Sequence, residues 1–192
     1  TAARNSGPIA KSVCARLKAG SSVLEIASGT GQQAAAICNQ AGAITWQPSD
    51  PDSGSRKSMV CYQDETAGAL LAPLNLDVTL PKWWELLERE FTHVFCANMI
   101  HIAPLEALHG LAKGAQSLLP AGGEMLLYGP FLDGANSAPS NLAFSERLKD
   151  QNPKWGVREL GFVKHIFATH ALNFSSAVPM PANNQMLVFE KA

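Results

Sequence analysis

Residues 23–34 read VLEIASGTGQQA, and this stretch decides the fold. An apolar run from Val23 to Ile26 breaks into a turn of small residues, and an alanine-rich segment with helical character follows. Strand, tight loop and helix in this order form the nucleotide-binding corner of an open α/β sheet. An ordinary strand-to-helix turn also uses glycines. The acid Glu25 just before the glycines, together with Asp50 further on, favours a cofactor site over such a turn.

Two phosphate-bearing ligands compete for this loop. A P-loop needs a Lys and a Ser or Thr after the second glycine, and Gln32 and Gln33 stand there instead, which excludes a nucleoside triphosphate. A dinucleotide loop has the spacing G-x-G-x-x-G or A, which Gly29, Gly31 and Ala34 satisfy. Asp50 lies 19 residues beyond Gly31, near the usual place of a ribose-binding acid. An NAD site therefore stays open at this point.

The charge of Glu25 separates NAD from S-adenosylmethionine (SAM). A pyrophosphate at the start of the helix would lie close to this carboxylate, and like charges in a partly buried cleft repel each other. SAM carries an ammonium and a sulfonium and has no phosphate. The acid behind the loop therefore favours SAM as the cofactor.

The composition is that of one globular domain. The chain has 192 residues, 46% of them hydrophobic and 16% charged, with a net charge of −1. Neither a basic run nor a membrane-length apolar stretch occurs, so we expect no nucleic-acid and no membrane partner. Four cysteines are spread singly and no His lies at zinc spacing, which favours reduced thiols in a cytoplasmic protein and no metal site.

Apolar spacing, glycines and prolines predict alternating strands and helices. Helices are predicted at 8–19, 31–41, 52–62, 81–90, 104–118, 140–150 and 157–168, and strands at 22–27, 43–48, 73–78, 91–97, 124–128, 170–178 and 184–190. Such alternation implies parallel βαβ units, and ligands bind at the carboxyl ends of their strands. The last two strands are joined by a short loop, which favours an antiparallel pair.

Eight segments together resemble the class I SAM-dependent methyltransferases, and within them a small family of methyltransferase-like proteins. They are Arg4-Asn5 with Gly7 to Ile9, EIASGTGQ from Glu25, WQPSD from Trp46, LDV from Leu76, FCANMIHI from Phe95, LYGPF from Leu127, NPKWG from Asn152 and MPANN from Met180. The resemblance covers nearly the whole chain and implies a Rossmann-like α/β fold. It implies a mostly parallel sheet of seven strands with the last antiparallel, and helices on both faces. Ala27 stands where the family has the first glycine of its acid-x-Gly-x-Gly-x-Gly motif.

The resemblance also implies roles for single residues. Asp50 would hold the ribose hydroxyls, Asp77 between Leu76 and Val78 the adenine, and Asn98 the methionine part of SAM. The cofactor-binding residues expected in all are Arg4, Asn5, Glu25, Ala27, Ser28, Gly29, Gly31, Asp50, Leu76, Asp77, Val78, Asn98 and Met99. Residues 1–20 and 132–156 are expected to fold over the cofactor as a lid of the single domain 1–192, which would bring Arg4 to the SAM carboxylate.

The acceptor side is predicted at the end of the fourth of these strands. His101 is the candidate general base and Asn98 a second catalytic candidate, while a helix-capping role for His101 stays open. Tyr128, Trp155, Asn183 and Asn184 are expected to line the acceptor pocket. The function predicted is methyl transfer to a small molecule by a monomer or homodimer. A SAM-binding protein without catalysis and an NAD-dependent oxidoreductase are the alternatives.

Overall fold

A computed structural model describes residues 2–192, with side chains described from Ser6 onwards. Six helices and six strands alternate for most of the chain: α1 (Ala2–Cys14), β1 (Ser22–Ile26), α2 (Gln32–Ala41), β2 (Thr45–Pro48), α3 (Ser53–Val60), β3 (His93–Ala97), α4 (Leu105–Leu118), β4 (Glu124–Pro130), α5 (Pro139–Gln151), α6 (Leu160–Thr169), β5 (Leu172–Met180) and β6 (Asn184–Lys191). Short 3₁₀ turns lie between some of them, at Asp64–Thr66, Trp83–Leu86, Met99–His101 and Gly134–Asn136.

The strands form one sheet in the order β2-β1-β3-β4-β6-β5. The pairs β1–β2, β1–β3 and β3–β4 are parallel, whereas β6 runs antiparallel to both β4 and β5. The strand next to β1 therefore changes from β2 on one side to β3 on the other. Such a reversal of strand order opens a crevice at the carboxyl edge of an α/β sheet.

Each face of the sheet is covered by a hydrophobic cluster. One cluster joins the sheet to α4, α6 and the segment before β3, with Leu24, Trp83 and Phe167 in its core. The other joins it to α1 and α2, with Val13, Ile37 and Trp46 in its core. Because both faces of the sheet are covered, β1, β3 and β4 are buried along nearly their whole length. This burial explains why their sequences are mostly apolar runs.

The prediction of seven strands is wrong, because residues 73–78 do not form one. This segment makes an isolated parallel bridge between Ser49 and Leu74, in which Leu74 N–H donates to Pro48 O at 3.0 Å. Pro73 has no N–H to continue the ladder, and the Asp77 carboxylate accepts the N–H and hydroxyl of Thr79 instead. Local side-chain bonds therefore turn the chain where a strand was expected.

Two helix predictions also differ from the structure. The helix expected over 81–90 is reduced to the 3₁₀ turn Trp83–Leu86, because Leu87 is already extended and Leu86 is 69% exposed. The first helix starts at Ala2, so Pro8 lies inside it rather than in its first turn. Among the described residues, no helix combines the length and apolar character that a bilayer crossing demands.

Candidate functional site

The candidate site lies at the carboxyl edge of the sheet, where the loops after β1, β2, β3 and β4 converge. The first loop, residues 27–31, reverses direction through three left-handed residues: Ala27 at φ 56°, Gly29 at φ 58° and Gly31 at φ 87°. A Cβ on Gly31 would lie 2.9 Å from the Met59 side chain, whereas nothing lies within 4 Å of one on Gly29. Gly31 is thus needed for packing, and the space beside Gly29 is open to a ligand.

Reciprocal bonds join the first loop to the end of β2. Ser28 N–H donates to Ser49 O at 2.9 Å, and Ser49 N–H donates back to Ser28 Oγ at 3.1 Å. The Ser49 hydroxyl donates to the carbonyl of Glu25 at 2.7 Å. Two neighbouring strand ends therefore form one rigid wall of the crevice.

Asp50 is nearly buried and holds this wall in place. Its Oδ2 accepts the N–H of Gly29 at 3.0 Å, and its Oδ1 accepts the N–H of Asp52 at 2.9 Å. Each carboxylate oxygen has a second lone pair for a ligand hydroxyl. Helix α3 is capped by the neighbouring acid, because Asp52 Oδ2 accepts the N–H of Ser55 at 2.6 Å. Asp52, rather than Asp50, therefore caps α3.

Glu25 lies deeper than the loop and is 2% exposed. Its Oε2 accepts the indole N–H of Trp46 at 2.8 Å. The net pKa of Glu25 is raised to about 7. Burial is the main cause, and the Asp50 charge acts in the same direction, while hydrogen bonds from Trp46 and Ser28 lower the pKa. Trp46 lies on the adjacent strand β2. Sequence reasoning missed its bond to Glu25 because no fixed spacing in the sequence relates partners on two neighbouring strands.

The expected adenine-binding segment borders the same crevice. Leu76 and Val78 are buried in the core cluster against α4. Asp77, between them, is half-buried and accepts the N–H and the hydroxyl of Thr79 at 2.9 and 2.6 Å. Asp77 thus forms a local turn with Thr79, and its adenine-binding role remains a prediction.

The loop after β3 carries Asn98, Met99 and His101. Asn98 adopts a left-handed conformation at φ 63°, which is rare outside glycine and is concentrated at functional sites. Its N–H donates to Tyr128 O at 2.8 Å, and the Met99 side chain packs into the core. The loop is thereby held against the end of β4.

His101 is fully buried and has no contact with solvent. Its Nδ1 accepts the backbone N–H of Arg158 at 3.3 Å, and its ring packs edge-on against Phe131 at 5.4 Å between centroids. The net pKa of His101 is lowered to about 3, mainly by burial and also by the nearby Arg158 charge, while a backbone hydrogen bond with Gly156 raises it. A Cβ on Gly129 would lie 2.7 Å from its Nε2, so glycine is required there.

Arg158 and Asn141 were missed by sequence reasoning. Arg158 donates from its side chain to the carbonyls of Ile100 and Ala103, at 2.9 and 2.7 Å. Asn141, at the start of α5, donates to Phe131 O at 3.2 Å and to Asn183 O at 3.0 Å. Both residues are far in sequence from their partners, so no local sequence motif predicts their roles.

The predicted acceptor-pocket residues come from separate elements, and their acceptor role remains a prediction. Tyr128 is 1% exposed and belongs to the core cluster against α1 and α2. Trp155 is half-buried and follows α5, where its N–H donates to Asn152 O. Asn183 lies in the turn between β5 and β6, where its Nδ2 donates to Ser140 Oγ at 2.9 Å. Asn184 is the first residue of β6, and its Nδ2 donates to Pro181 O at 2.9 Å. The side chains of Arg4 and Asn5 lie outside the described part of the chain.

A cavity of about 530 Å³ lies at the opposite, amino-terminal edge of the strands. Two of its charged residues are paired, because Glu124 accepts two bonds from Arg16, at 2.8 and 2.5 Å. His93 faces the same carboxylate at 3.6 Å, and burial lowers its pKa. This cavity is separate from the crevice described above.

Comparisons with known proteins identify the family of the chain and proteins that share its fold. A family model described as "Protein of unknown function (DUF938)" matches residues 1–191. A solved O-methyltransferase family protein from Burkholderia thailandensis superposes with a TM-score of 0.81 at 14% identity, over 97% of this chain and 55% of that one. An O-methyltransferase family 2 protein from Planctomyces limnophilus, in complex with apigenin, gives 0.79 at 18% identity, over 99% and 59%.

CalO1, a methyltransferase in calicheamicin biosynthesis solved in its SAH-bound form, gives a TM-score of 0.79 at 12% identity, over 96% of this chain and 53% of CalO1. The chain thus spans between half and three fifths of the length of these proteins. At such identities the likeness shows a shared fold. The chain therefore shares the fold of these methyltransferases.

Proposed function

The chain belongs to the DUF938 family of proteins of unknown function. We propose that it is a SAM-dependent methyltransferase acting on a small molecule. The observation that carries the proposal is the pairing of the open space at Gly29 with the Asp50 carboxylate, which is 8% exposed. Both lie where β1 separates β2 from β3, at the carboxyl edge of a sheet with the methyltransferase fold.

The residues present fit a nucleoside without phosphate. A carboxylate binds two ribose hydroxyls by accepting both, and both Asp50 oxygens keep a lone pair for this purpose. The loop carries no Lys or Arg to neutralise a pyrophosphate, and the acid Glu25 lies behind it. This combination supports SAM over NAD.

We assign the roles of the chain's own residues accordingly. When bound, SAM would supply a methyl group on a sulfonium, which is an activated leaving group. Asp50, the loop 27–31 and Asp77 hold the nucleoside, and Asn98 orients the reacting end. Aligning two reactants in this way lowers a barrier by about 7–11 kcal/mol. Asn98 and His101 face the acceptor side, with α5 and the turn at Asn183 closing over it.

Isothermal titration of SAM against an Asp50→Asn variant tests the proposal. The substitution removes the negative charge and replaces one accepting oxygen with an NH2 that faces a backbone N–H, so we expect binding to weaken by about 10- to 100-fold. Asp52→Asn is the matched control, because it removes a carboxylate two residues away that is exposed and can still cap α3 as an amide. Equal SAM affinity of wild type and Asp50→Asn would contradict the ribose assignment.

A SAM-binding protein without catalysis is the second candidate, and the burial of the acceptor side favours it. The ring of His101 has no exposed surface, and its Nε2 has no hydrogen-bond partner among the described residues. Turnover of methyl-labelled SAM separates the two candidates, since a protein without catalysis transfers no label. A parallel NADH titration tests the oxidoreductase alternative, for which NADH binding and absent SAM binding are expected.

A further inference from the structure

We propose that Arg56 is a positioning residue that holds the Asp50 carboxylate at a fixed distance from residues 76–78, so that the ribose and the adenine of the cofactor are bound by one rigid frame. The inference rests on the proposed binding of SAM and adds a residue that the expected cofactor-binding set does not contain. Arg56 acts through the two segments that it joins rather than by touching the cofactor.

One nitrogen of Arg56 joins the two segments. Its Nη1 donates to the carbonyl oxygens of Asp50 and Pro51, both at 2.7 Å, and to Oδ1 of Asn75 at 3.2 Å. Asp50 is the residue assigned to the ribose, and Asn75 directly precedes the segment 76–78 that is assigned to the adenine. A half-buried guanidinium therefore ties the end of β2 to the start of that segment.

The position of Arg56 within α3 indicates that the charge does not serve the helix itself. Arg56 is the fourth residue of α3 and lies in its first turn. The dipole of a helix disfavours a positive charge in the first turn, because the unpaired N–H groups there are already the positive end. The three oxygens that accept from Nη1 account for the cation better than α3 does.

The backbone of Asp50 is held from both sides. Its N–H donates to Leu74 O at 3.0 Å, and its carbonyl oxygen accepts from Arg56. Its carboxylate accepts the N–H groups of Gly29 and Asp52. The direction of the carboxylate is thus fixed relative to the first loop and to the segment that follows Leu74.

The segment assigned to the adenine has few other attachments to β2. Its apolar side chains, Leu76 and Val78, pack into the core cluster against α4. The backbone bonds to β2 end at the isolated bridge of Leu74. Within residues 6–192, the bond from Arg56 to Asn75 is the one hydrogen bond beyond that bridge that connects this segment to the end of β2.

A fixed spacing matters because ribose and adenine are two parts of one ligand. Once one part is bound, the second contact is intramolecular, and it contributes most when the spacing of the two sites matches the ligand. A frame that is ordered before binding also avoids the cost of ordering it on binding. Loss of Arg56 should therefore weaken every ligand that carries the adenosine part, and by a similar factor.

Isothermal titration with SAM, S-adenosylhomocysteine and adenosine tests the positioning role. We expect Arg56→Ala to bind all three about 10-fold more weakly than wild type. Arg56→Lys should stay within about threefold of wild type, because its ammonium has three donors on one nitrogen and can replace Nη1. Lys57→Ala is the matched control, because it removes the next positive charge on α3, which is exposed and makes no side-chain hydrogen bond in the described part of the chain.

Thermal unfolding of the same variants separates positioning from a merely structural role. A structural role would lower the Tm of Arg56→Ala and leave its SAM affinity unchanged at a temperature where both proteins are folded. That result would overturn the inference, and so would an Arg56→Lys variant that binds as weakly as Arg56→Ala.

A double variant distinguishes action through Asp50 from direct contact with the cofactor. If Arg56 acts through Asp50, the double variant Arg56→Ala with Asp50→Asn should bind SAM within about threefold of Asp50→Asn alone. Two losses that multiply in full would show that Arg56 binds the cofactor itself, which contradicts the positioning role.

Amide hydrogen exchange of the protein without cofactor, measured by NMR, gives a result that does not depend on SAM. The N–H groups of Asp50 and Leu74 form the bonds between β2 and its neighbouring segment, and we expect both to exchange about 10-fold faster in Arg56→Ala. Unchanged exchange would overturn the inference alone. A wild type that binds neither SAM nor adenosine would refute the proposed function and the inference together, whereas a wild type and an Arg56→Ala variant that bind SAM equally would refute only the inference.

Discussion

The buried carboxylate of Glu25 should make the protein less stable as the pH rises. Its pKa in the folded protein is about 7, against an ordinary value of 4.5, and burial is the main cause. Between these two values the folded state binds a proton that the unfolded state has released, so stability falls across this window. The gap corresponds to about 3 kcal/mol lost by pH 8.

Glu25→Gln removes this penalty and can still accept the indole N–H of Trp46. We therefore expect the variant to gain up to about 3 kcal/mol at pH 8, or roughly 6–12 °C in Tm for a domain of this size. At pH 5 the two proteins should differ little.

Thermal and urea unfolding at both pH values measure the effect. Glu88→Gln is the matched control, because Glu88 is exposed and its substitution removes the same charge without changing a buried site. A stability difference between Glu25→Gln and wild type that is the same at pH 5 and pH 8 would refute the reasoning. So would a wild type that becomes more stable across this window while Glu25→Gln does not.

Four further substitutions test the loops and the helix packing by thermal unfolding. Ala27→Gly should stabilise by about 0.5–1 kcal/mol, because φ is 56° at this residue and glycine adopts that conformation without strain. Gly129→Ala should destabilise by about 1–3 kcal/mol and displace the ring of His101, which an unchanged ¹⁵N spectrum of that ring would contradict. Gly110→Ala should cost about 3 kcal/mol or more, because its Cβ would lie 1.8 Å from a backbone carbonyl oxygen. Gly161→Ala, with nothing within 4 Å, should instead stabilise α6 by about 0.5–1 kcal/mol.

The cofactor side of the site could be predicted because its signals are local. An apolar run, a small-residue loop and an acid at the end of the next strand lie within residues 22–50, and neighbouring parallel strands bring their carboxyl ends together. Asp50 consequently lies against Gly29, as the family resemblance implies for a ribose-binding acid. Whether it binds ribose remains a prediction.

The acceptor side could not be predicted in the same way, because its contacts are distant in sequence. His101 and Arg158 are 57 residues apart, and Asn141 and Asn183 are 42 apart. No periodicity connects such pairs, since tertiary packing brings them together. The strand predicted at 73–78 is absent for a local reason instead. There a hydrogen bond from Thr79 to Asp77 turns the chain in spite of the apolar pattern.

The order of the strands also affects how the chain folds while the ribosome is synthesising it. β6 follows β4 and β5 in the sequence but lies between them in the sheet, so β5 has no partner there until residues 184–191 have emerged. Until then the outer edge of β4 stays open, and an open edge of this kind can pair with other nascent chains. A chain cut before residue 184 would therefore keep its cofactor loop but leave an exposed, aggregation-prone β4.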